Sequence, residues 1–561
     1  MHYKMATMHG TEMTSLVFFI IIVGVACDGH ALHTSWAQID QLWKDEAEAI
    51  ARMRTTIHSL NKLNEVLNRY VASWEELAGS SDFESRSGDP AAAYSLLHHV
   101  SRGWRHVDPL LQEAKGVFSD IEHLASRADR ELLPNAEDLI GASESLARLA
   151  HVYRLNTTEL ARGGLSTAVD QQRDSAQHTL SMSDLANIGL VAINKGFFGV
   201  AVEFLRAARS RADIHAHTAL QAGFGGDYTP QRLDDLINTA VRVHDHVLAM
   251  RGPRSLTHAT APRPYAKARA RGTATSTSEL SEVVVGTEFL KRHVNSTWMR
   301  NYRQLVELQQ VERLCRGEDL RPAEVTSQLT CSYMAGSSTW LLLAPFKVEV
   351  LSQDPYITIV YEVMKPREAE EVKAKAGHLL QTPHNAAYGN SENGTQSGWT
   401  LKHTWLQGKD ESTLRNLGLR LGQLIDVVLD DAVSEPYMVA NYGMGGTYEA
   451  HRDTHGPARR PHSPVAGERL ATLLTYVEAP RAGGRTVFPW VGAGVTPAEG
   501  ATVIWWNLLA SHEHDFLTRH AACPVLRGHK WIINKWVGYK AQWRKHPCPA
   551  DPARKMQLPC A

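Results

Sequence analysis

Cysteine is scarce in this chain, charge of either sign is not in excess, and long apolar runs are almost missing. Six cysteines in 561 residues exclude a small disulfide-built scaffold, which needs a far denser set. With 59 Lys and Arg against 60 Asp and Glu, nothing in the overall charge draws the protein to nucleic acid or to an anionic membrane. One uninterrupted apolar run, Leu16 to Ala26, follows Lys4 and ends before Asp28. It is short for a bilayer span and fits the central part of a signal peptide over residues 1–28; an uncleaved anchor is the alternative. No other segment is apolar enough to cross a membrane, so the mature chain is expected to be lumenal or secreted. The final residues, "QLPCA", are no retention signal for the endoplasmic reticulum. Export, or retention by something else, is therefore expected.

What is present agrees with secretory entry. Asn156, Asn295 and Asn393 each begin a glycosylation sequon. Cys27 leaves with the signal segment. Cys315 and Cys331 are close enough in sequence to close a small loop, as are Cys523 and Cys548, and Cys560 is left over. Local disulfides are the natural expectation in an oxidising compartment. The chain is too long for a single core, so several domains are expected.

Residues 29–161 read as helical. From Ala47 to Leu77 there is no Pro or Gly, and Ile50, Ile57, Asn64 and Val71 occupy heptad a positions with Met53, Leu60, Leu67 and Trp74 at d. That is a two-stranded coiled-coil pattern, with one Asn to set register. An amphipathic helix packed within its own domain fits the same few heptads. In residues 162–250, Leu185, Gly189, Gly196, Phe198, Ala201, Leu205 and Ala208 fall at tetratricopeptide-like spacing, where small residues let two antiparallel helices approach. A peptide-binding region is one reading and an ordinary helical hairpin the other. Arg251 to Ser278 is rich in Pro, Thr, Ala and Arg without periodicity, and reads as a linker within a connecting region, 251–335.

Residues 336–561 change texture. Short alternating runs such as "YMVANY", "RLATLLTYVEA", "ATVIWWNLL" and "KWIINKW" are separated by Gly445-Gly446, Gly483-Gly484 and Gly528. Many short strands at regular spacing predict a sandwich or barrel, preceded by a helix near Thr413 to Leu429. At the end of one predicted strand stand His451 and Asp453. Two residues apart on a strand, their side chains point the same way, so both can reach one metal ion. A facial triad for non-haem Fe(II) needs one more imidazole, and His520 lies far enough along the β region to return beside them. Lys530 then starts the next strand, where a fixed cation suits the distal end of a dicarboxylate. His106 and Asp108 repeat the His-x-Asp pattern in the helical half without metal context. His512 and His514 invite a zinc reading, although a solvated loop fits them better.

"TRHAACPVLRGHKWIINKW", Thr518 to Trp536, together with "NYGMGGTYEAHRD" and the flanks "AGGRTVFP" and "ATVIWWNL", resembles the catalytic domain of collagen prolyl 4-hydroxylase α subunits. The similarity is tight over roughly 436–548, returns at "VERLCRG", Val311 to Gly317, and is looser in the helical half. It implies a helical N-terminal half followed by a double-stranded β-helix, or jelly roll. By position, His451, Asp453 and His520 would hold Fe(II), and Lys530 would pair with the far carboxylate of 2-oxoglutarate. Tyr442 and Tyr476 would line the co-substrate pocket, and Arg469 and Trp536 would hold the peptidyl proline. Cys523 would pair with Cys548. Lys rather than Arg at position 530 favours proline over lysine as the target.

The implied reaction is hydroxylation at C4 of proline in X-Pro-Gly sequences, coupled to decarboxylation of 2-oxoglutarate to succinate, with O2 as oxidant and L-ascorbate maintaining the iron. The resemblance also implies an α2β2 tetramer with protein disulfide isomerase, in the lumen of the endoplasmic reticulum. A non-collagen secretory substrate and a catalytically inert assembly subunit are the alternatives. Tyrosine is sparse in 162–250, where the family's peptide groove is rich in it, and the 251–278 linker reads as an insertion; affinity for polyproline-like peptides stays open.

Overall fold

The computed structural model describes residues 36–57, 64–78, 88–113, 136–165, 179–215, 228–251, 302–334, 339–381, 400–454, 466–547 and 551. Residues 1–28, where a signal segment is expected, residues 252–301 of the connecting region, Asn295, Asn393, Cys27, Cys548 and Cys560 lie outside the described residues. Among those described, no helix is long and apolar enough to cross a membrane.

The N-terminal half is helical: α1 (Trp36–Ile57), α2 (Asn64–Ala78), α3 (Pro90–Glu113), α4 (Ala136–Tyr153), α5 (Thr157–Ala161), α6 (Met182–Asn194), α7 (Phe198–His215) and α8 (Pro230–Arg251). Local chemistry sets several starts. Ser181 caps α6 in a reciprocal box with Asp184, and Asn156 accepts from the amides of Thr158 and Glu159 to cap α5, each satisfying donors that a helix start leaves open. Gly189 faces Leu205 so closely that a Cβ there would lie 2.7 Å from Leu205 Cγ. The small residue thus lets α6 and α7 pack as a hairpin, with α8 against α7. Of the heptad positions, Ile50, Val71 and Trp74 are buried in this chain's own core, Trp74 lying 5.1 Å from the Trp43 ring. Those three residues therefore pack α1 and α2 within the chain rather than presenting a seam to a second one. The side chains of Met53, Ile57, Leu60, Asn64 and Leu67 lie outside the described residues.

The C-terminal half begins with α9 (Tyr302–Cys315) and contains fourteen described strands: β1 (Cys331–Met334), β2 (Phe346–Gln353), β3 (Tyr356–Tyr361), β4 (Lys402–Leu406), β5 (Tyr437–Tyr442), β6 (Tyr448–His451), β7 (Arg469–Glu478), β8 (Ala482–Gly483), β9 (Thr486–Phe488), β10 (Ala493–Val495), β11 (Thr502–Trp506), β12 (His520–Ala522), β13 (Val525–Arg527) and β14 (Lys530–Gly538). Eight form an antiparallel sheet in the order β1-β2-β3-β11-β7-β14-β5-β4, four form a second sheet, β10-β9-β12-β6, and β13 pairs with β8. The helices α10 (Pro366–Ala376) and α11 (Ser412–Ile425) also belong to this half, as does a single helical turn at Ala323–Thr326. α11 stops where Asp426 turns left-handed, φ 52°, short of the expected Leu429.

The period of two along the strands sorts the two faces of the large sheet. Val439, Leu473, Ile504, Ile533 and Val537 share a core with Leu414, Leu417, Leu421 and Leu424 of α11, a helical stripe at the expected spacing. Met438, Ala440, Tyr442, Leu474, Tyr476, Val503, Trp505, Ile532 and Trp536 point the other way, toward Phe488, Ala493 and Ala522 of the small sheet. Each large apolar side chain so buried stabilises the fold by about 1.5–3 kcal/mol. The functional residues lie on this inner face.

The expected local disulfides are not formed. Cys315 bonds to Cys523, with an Sγ–Sγ distance of 2.02 Å, Cα atoms 5.5 Å apart and a sequence separation of 208. Cys331 keeps a free, exposed thiol, and with Cys523 engaged the Cys523–Cys548 pairing is excluded. The reason is tertiary. Arg485 donates to the Leu314 carbonyl at 2.6 Å, Arg519 pairs with Glu307 at 2.7 Å, and these contacts lay α9 across the small sheet, so its last residue meets the end of β12. Proximity in sequence does not bring Cβ atoms together; this docking does.

Candidate metal and co-substrate site

β6 and β12 are antiparallel neighbours with His451 opposite His520, and Asp453 follows two residues beyond His451. One ligand atom from each of the three lies within 4.8 Å of the others, and among the described residues they are the only such metal-ligating group. His451 Nε2 is 3.7 Å from Asp453 Oδ1, and His520 Nε2 is 3.8 Å from Asp453 Oδ2. The other ring nitrogens face carbonyls: Nδ1 of His451 lies 2.7 Å from the Glu449 oxygen, and Nδ1 of His520 lies 3.0 Å from that of Thr518. A carbonyl can only accept, so each Nδ1 carries the proton and each Nε2 turns its lone pair toward the centre.

The carboxylate is oriented as well. Thr472, on the inner face of β7, donates its hydroxyl to Asp453 Oδ2 at 2.6 Å and accepts from Asn507 Nδ2 at 2.9 Å. Burial, reinforced by neighbouring His520, pushes the His451 imidazole down to about 3, so it is neutral and ready to ligate at any physiological pH. Burial alone would raise the Asp453 carboxyl, but His520, His451, Arg469 and the Thr472 bond outweigh it and hold the group below its ordinary range. Two imidazole nitrogens and one carboxylate are the donor set that Fe(II) takes in a facial triad.

Lys530 opens β14 on the same inner face, directly opposite Tyr442 in β5. It is completely buried. Its Nζ donates to the Gly484 carbonyl at 2.8 Å and sits 5.2 Å from the Tyr442 ring centre and 5.4 Å from that of Tyr476. Tyr476 in turn donates to Thr486 Oγ1 at 2.8 Å. With a carbonyl and two ring faces but no carboxylate among the described residues against it, burial pushes the Lys530 ammonium down to about 7. An arriving anion would remove that electrostatic penalty.

Arg469 and Trp536 lie beside the triad rather than free in solvent. The Arg469 guanidinium stands 3.7 Å over the Trp536 ring, donates to the Asp453 carbonyl at 3.1 Å, and grips Glu435 through two bonds of 2.6 Å. Trp536 is 5.8 Å from Trp405, whose ring is partly exposed. The structure thus gathers His451, Asp453, His520, Lys530, Tyr442, Tyr476, Arg469 and Trp536 on one side of the large sheet. Sequence reasoning missed Thr472, Asn507 and Glu435. Alternation along "RLATLLTYVE" places Thr472 on the inner face with Tyr476, the one signal available; nothing local marks Asn507 or Glu435. His514 pairs with Arg452 and His529 with Glu478 at 2.6 Å, and neither joins a metal-ligating group.

Residues 437–538 match the family model of the 2OG-Fe(II) oxygenase superfamily, and the donor set just described fits its metal. The protein is a 2-oxoglutarate- and Fe(II)-dependent dioxygenase. Residues 35–167 match the model of the prolyl 4-hydroxylase alpha-subunit, N-terminal region. The chain is 31% identical to prolyl 4-hydroxylase subunit alpha-2 of Gallus gallus, covering 90% of this chain and 96% of the relative. It is 30% identical to prolyl 4-hydroxylase subunit alpha-2 of Caenorhabditis elegans, covering 82% of each. It belongs to the prolyl 4-hydroxylase α-subunit family. A solved structure of a viral collagen prolyl hydroxylase from Paramecium Bursaria Chlorella virus-1, in its 2OG complex, is 20% identical over 32% of this chain and 94% of its own, with a TM-score of 0.26.

Proposed function

We propose that the enzyme hydroxylates C4 of peptidyl proline in collagen-type X-Pro-Gly sequences. The observation that carries the reading is the fully buried Lys530, which has no carboxylate partner among the described residues and stands on the face of the large sheet turned toward the His451, Asp453 and His520 donors. Fe(II), when bound with 2-oxoglutarate and O2, supplies the oxidising power for C–H hydroxylation as the co-substrate becomes succinate and CO2, and ascorbate keeps the metal reduced. The protein's own part is placement. His451 and His520 offer Nε2 donors, Thr472 aims the Asp453 carboxylate, and Lys530 neutralises the distal carboxylate of 2-oxoglutarate between Tyr442 and Tyr476. Arg469, held by Glu435 over Trp536, forms a rigid platform for the proline ring, with Trp405 at its outer edge. Burial of these groups keeps water out, which strengthens each electrostatic contact.

The test is succinate release from 2-oxoglutarate with and without a (Pro-Pro-Gly)-type peptide, using protein co-expressed with protein disulfide isomerase. Peptide-stimulated succinate is the expected result. Turnover stimulated only by other proline-containing secretory proteins would replace collagen as the substrate, and no turnover under any condition would favour an inert assembly subunit.

Finer features follow the same reading. The two facing sheets are read as a double-stranded β-helix, and the α6–α7 hairpin as a tetratricopeptide-like unit for the peptide. Residues 29–161 are read as the region that pairs two α chains, 162–250 as the peptide-binding domain, 251–335 as the connection and 336–561 as the catalytic domain. The assembly is an α2β2 tetramer with protein disulfide isomerase in the lumen of the endoplasmic reticulum. The apolar run at Leu16 to Ala26, the exposed sequon residue Asn156 and the Cys315–Cys523 disulfide all support an oxidising secretory compartment. Sedimentation checks the pairing: Leu60→Glu with Leu67→Glu is expected to separate the α chains and spare the oxygenase site, because like charges at d positions repel. Paired α chains in that variant would confine the heptads to an intramolecular role.

A further inference from the structure

We propose that Tyr153, at the end of helix α4 in the N-terminal half, is a positioning residue for the co-substrate anchor Lys530. The inference rests on Lys530 receiving the distal carboxylate of 2-oxoglutarate. Two backbone residues, Pro524 and Gly484, connect the two side chains. The buried Tyr153 hydroxyl donates to the Pro524 carbonyl at 2.5 Å, across a sequence separation of 371. That carbonyl also accepts the amide of Gly484 at 3.0 Å, and the carbonyl of Gly484 receives Lys530 Nζ at 2.8 Å. Gly484 is therefore held at its N–H by the acceptor that Tyr153 shares, and holds the lysine with its C=O.

The turn has little room to compensate. Gly483 and Gly484 are both left-handed, φ 77° and 67°, a conformation that glycine adopts without a Cβ penalty. A Cβ on Gly483 would lie 2.6 Å from the Pro524 oxygen and 2.8 Å from the Tyr153 hydroxyl, and one on Gly484 would lie 3.4 Å from Lys530 Cδ. The tyrosine, the turn and the lysine thus fit against one another directly. A second contact from α4 bears on the turn that follows Tyr442. Arg148 donates to the Gly445 carbonyl at 3.1 Å, in the turn between Tyr442 and His451, while the Gly445 amide donates to Val525 O at 3.0 Å. The helical half is in this way part of the scaffold of the co-substrate pocket.

Tyr153→Phe keeps the ring in its core and removes only the hydroxyl. Loss of one neutral hydrogen bond weakens what depends on it by about 5- to 10-fold. The experiment compares wild type, Tyr153→Phe and Lys530→Ala as full-length protein loaded with Co(II), titrated with N-oxalylglycine, which carries a distal carboxylate, and with oxalate, which chelates the metal but does not extend to Lys530. Tyr153→Phe is expected to weaken N-oxalylglycine about 5- to 10-fold and to leave oxalate, Co(II) affinity and thermal midpoint unchanged. In turnover the KM for 2-oxoglutarate rises while kcat at saturation holds. Unaltered N-oxalylglycine binding in Tyr153→Phe, alongside a loss in Lys530→Ala, overturns the positioning role. Equal weakening of both chelators in Tyr153→Phe also overturns it, because general loosening then explains the effect. N-oxalylglycine binding that survives Lys530→Ala overturns the anchor reading itself.

Discussion

Asp453→Ala is expected to abolish succinate production, with a loss of more than about 100-fold, the upper end of what disturbing a mere outer-sphere partner costs. Asp453 supplies the only carboxylate of the triad, and both of its oxygens are placed against imidazole nitrogens. An alanine leaves two neutral donors, too few to hold Fe(II) in the facial arrangement. The substitution removes no large apolar volume. Its structural cost is the orphaned Thr472 hydroxyl, about 1–3 kcal/mol, so the variant should still fold. His451→Ala and His520→Ala are expected to behave alike. Succinate release and thermal melting with and without Fe(II) check this together, and near-normal turnover in any of the three would end the iron assignment.

Lys530→Ala is expected to leave metal binding intact and raise the KM for 2-oxoglutarate by roughly 100-fold or more, since a buried hydrogen-bonded charge pair loses one partner, about 3–5 kcal/mol. The wild-type protein should reveal the same group through pH. Without co-substrate, burial holds Lys530 down to about 7, so above that pH the amine is neutral. The distal carboxylate favours the charged form, and binding must take up a proton. The KM for 2-oxoglutarate should therefore rise above pH 7, approaching tenfold per pH unit, and this slope should vanish in Lys530→Ala. Stability has the matching sign. The unfolded lysine binds a proton that the folded one has released between about pH 7 and its ordinary value, so this group makes the co-substrate-free protein more stable as pH rises through that window. Lys530→Met should melt higher than wild type below pH 7 in the absence of 2-oxoglutarate. A pH-independent KM in wild type, or a Lys530→Ala enzyme that binds 2-oxoglutarate normally, would leave Lys530 as a structural residue.

Much of the site was legible because strand geometry is local. Side chains alternate with a period of two along a strand, which suggested that "EAHRD" sets His451 and Asp453 on one side; in the structure β6 ends at His451, and Asp453, just beyond it, is held toward the same centre by Thr472. The same alternation puts Lys530, Ile532 and Trp536 together along β14 and Thr472 with Tyr476 along β7. The small residue Gly189 likewise marked where α6 and α7 approach. The motif resemblance implied roles for Tyr442, Arg469 and Lys530, and the structure places these three side chains on the inner side of the large sheet.

Contacts made by docking were not legible. Cys315 finds Cys523 across a separation of 208 because α9 crosses the small sheet, whereas short spacing had favoured Cys331 and Cys548. Ile50, Val71 and Trp74 have coiled-coil periodicity, yet periodicity defines an apolar stripe and not what covers it; here the cover includes this chain's own helices. Glu435, which fixes Arg469, and Tyr153, which reaches Pro524 from the other half of the molecule, lie in no pattern that local spacing could mark. The sequence by itself determined which side chains point together along each strand and the donor set for the metal, since both follow from short-range backbone geometry and side-chain chemistry. Only the tertiary structure decided which distant residues support them, because those pairings depend on how the strands of the large sheet lie side by side and on how helices α4 and α9 settle on the oxygenase sheets, and that packing leaves no periodic trace in the chain.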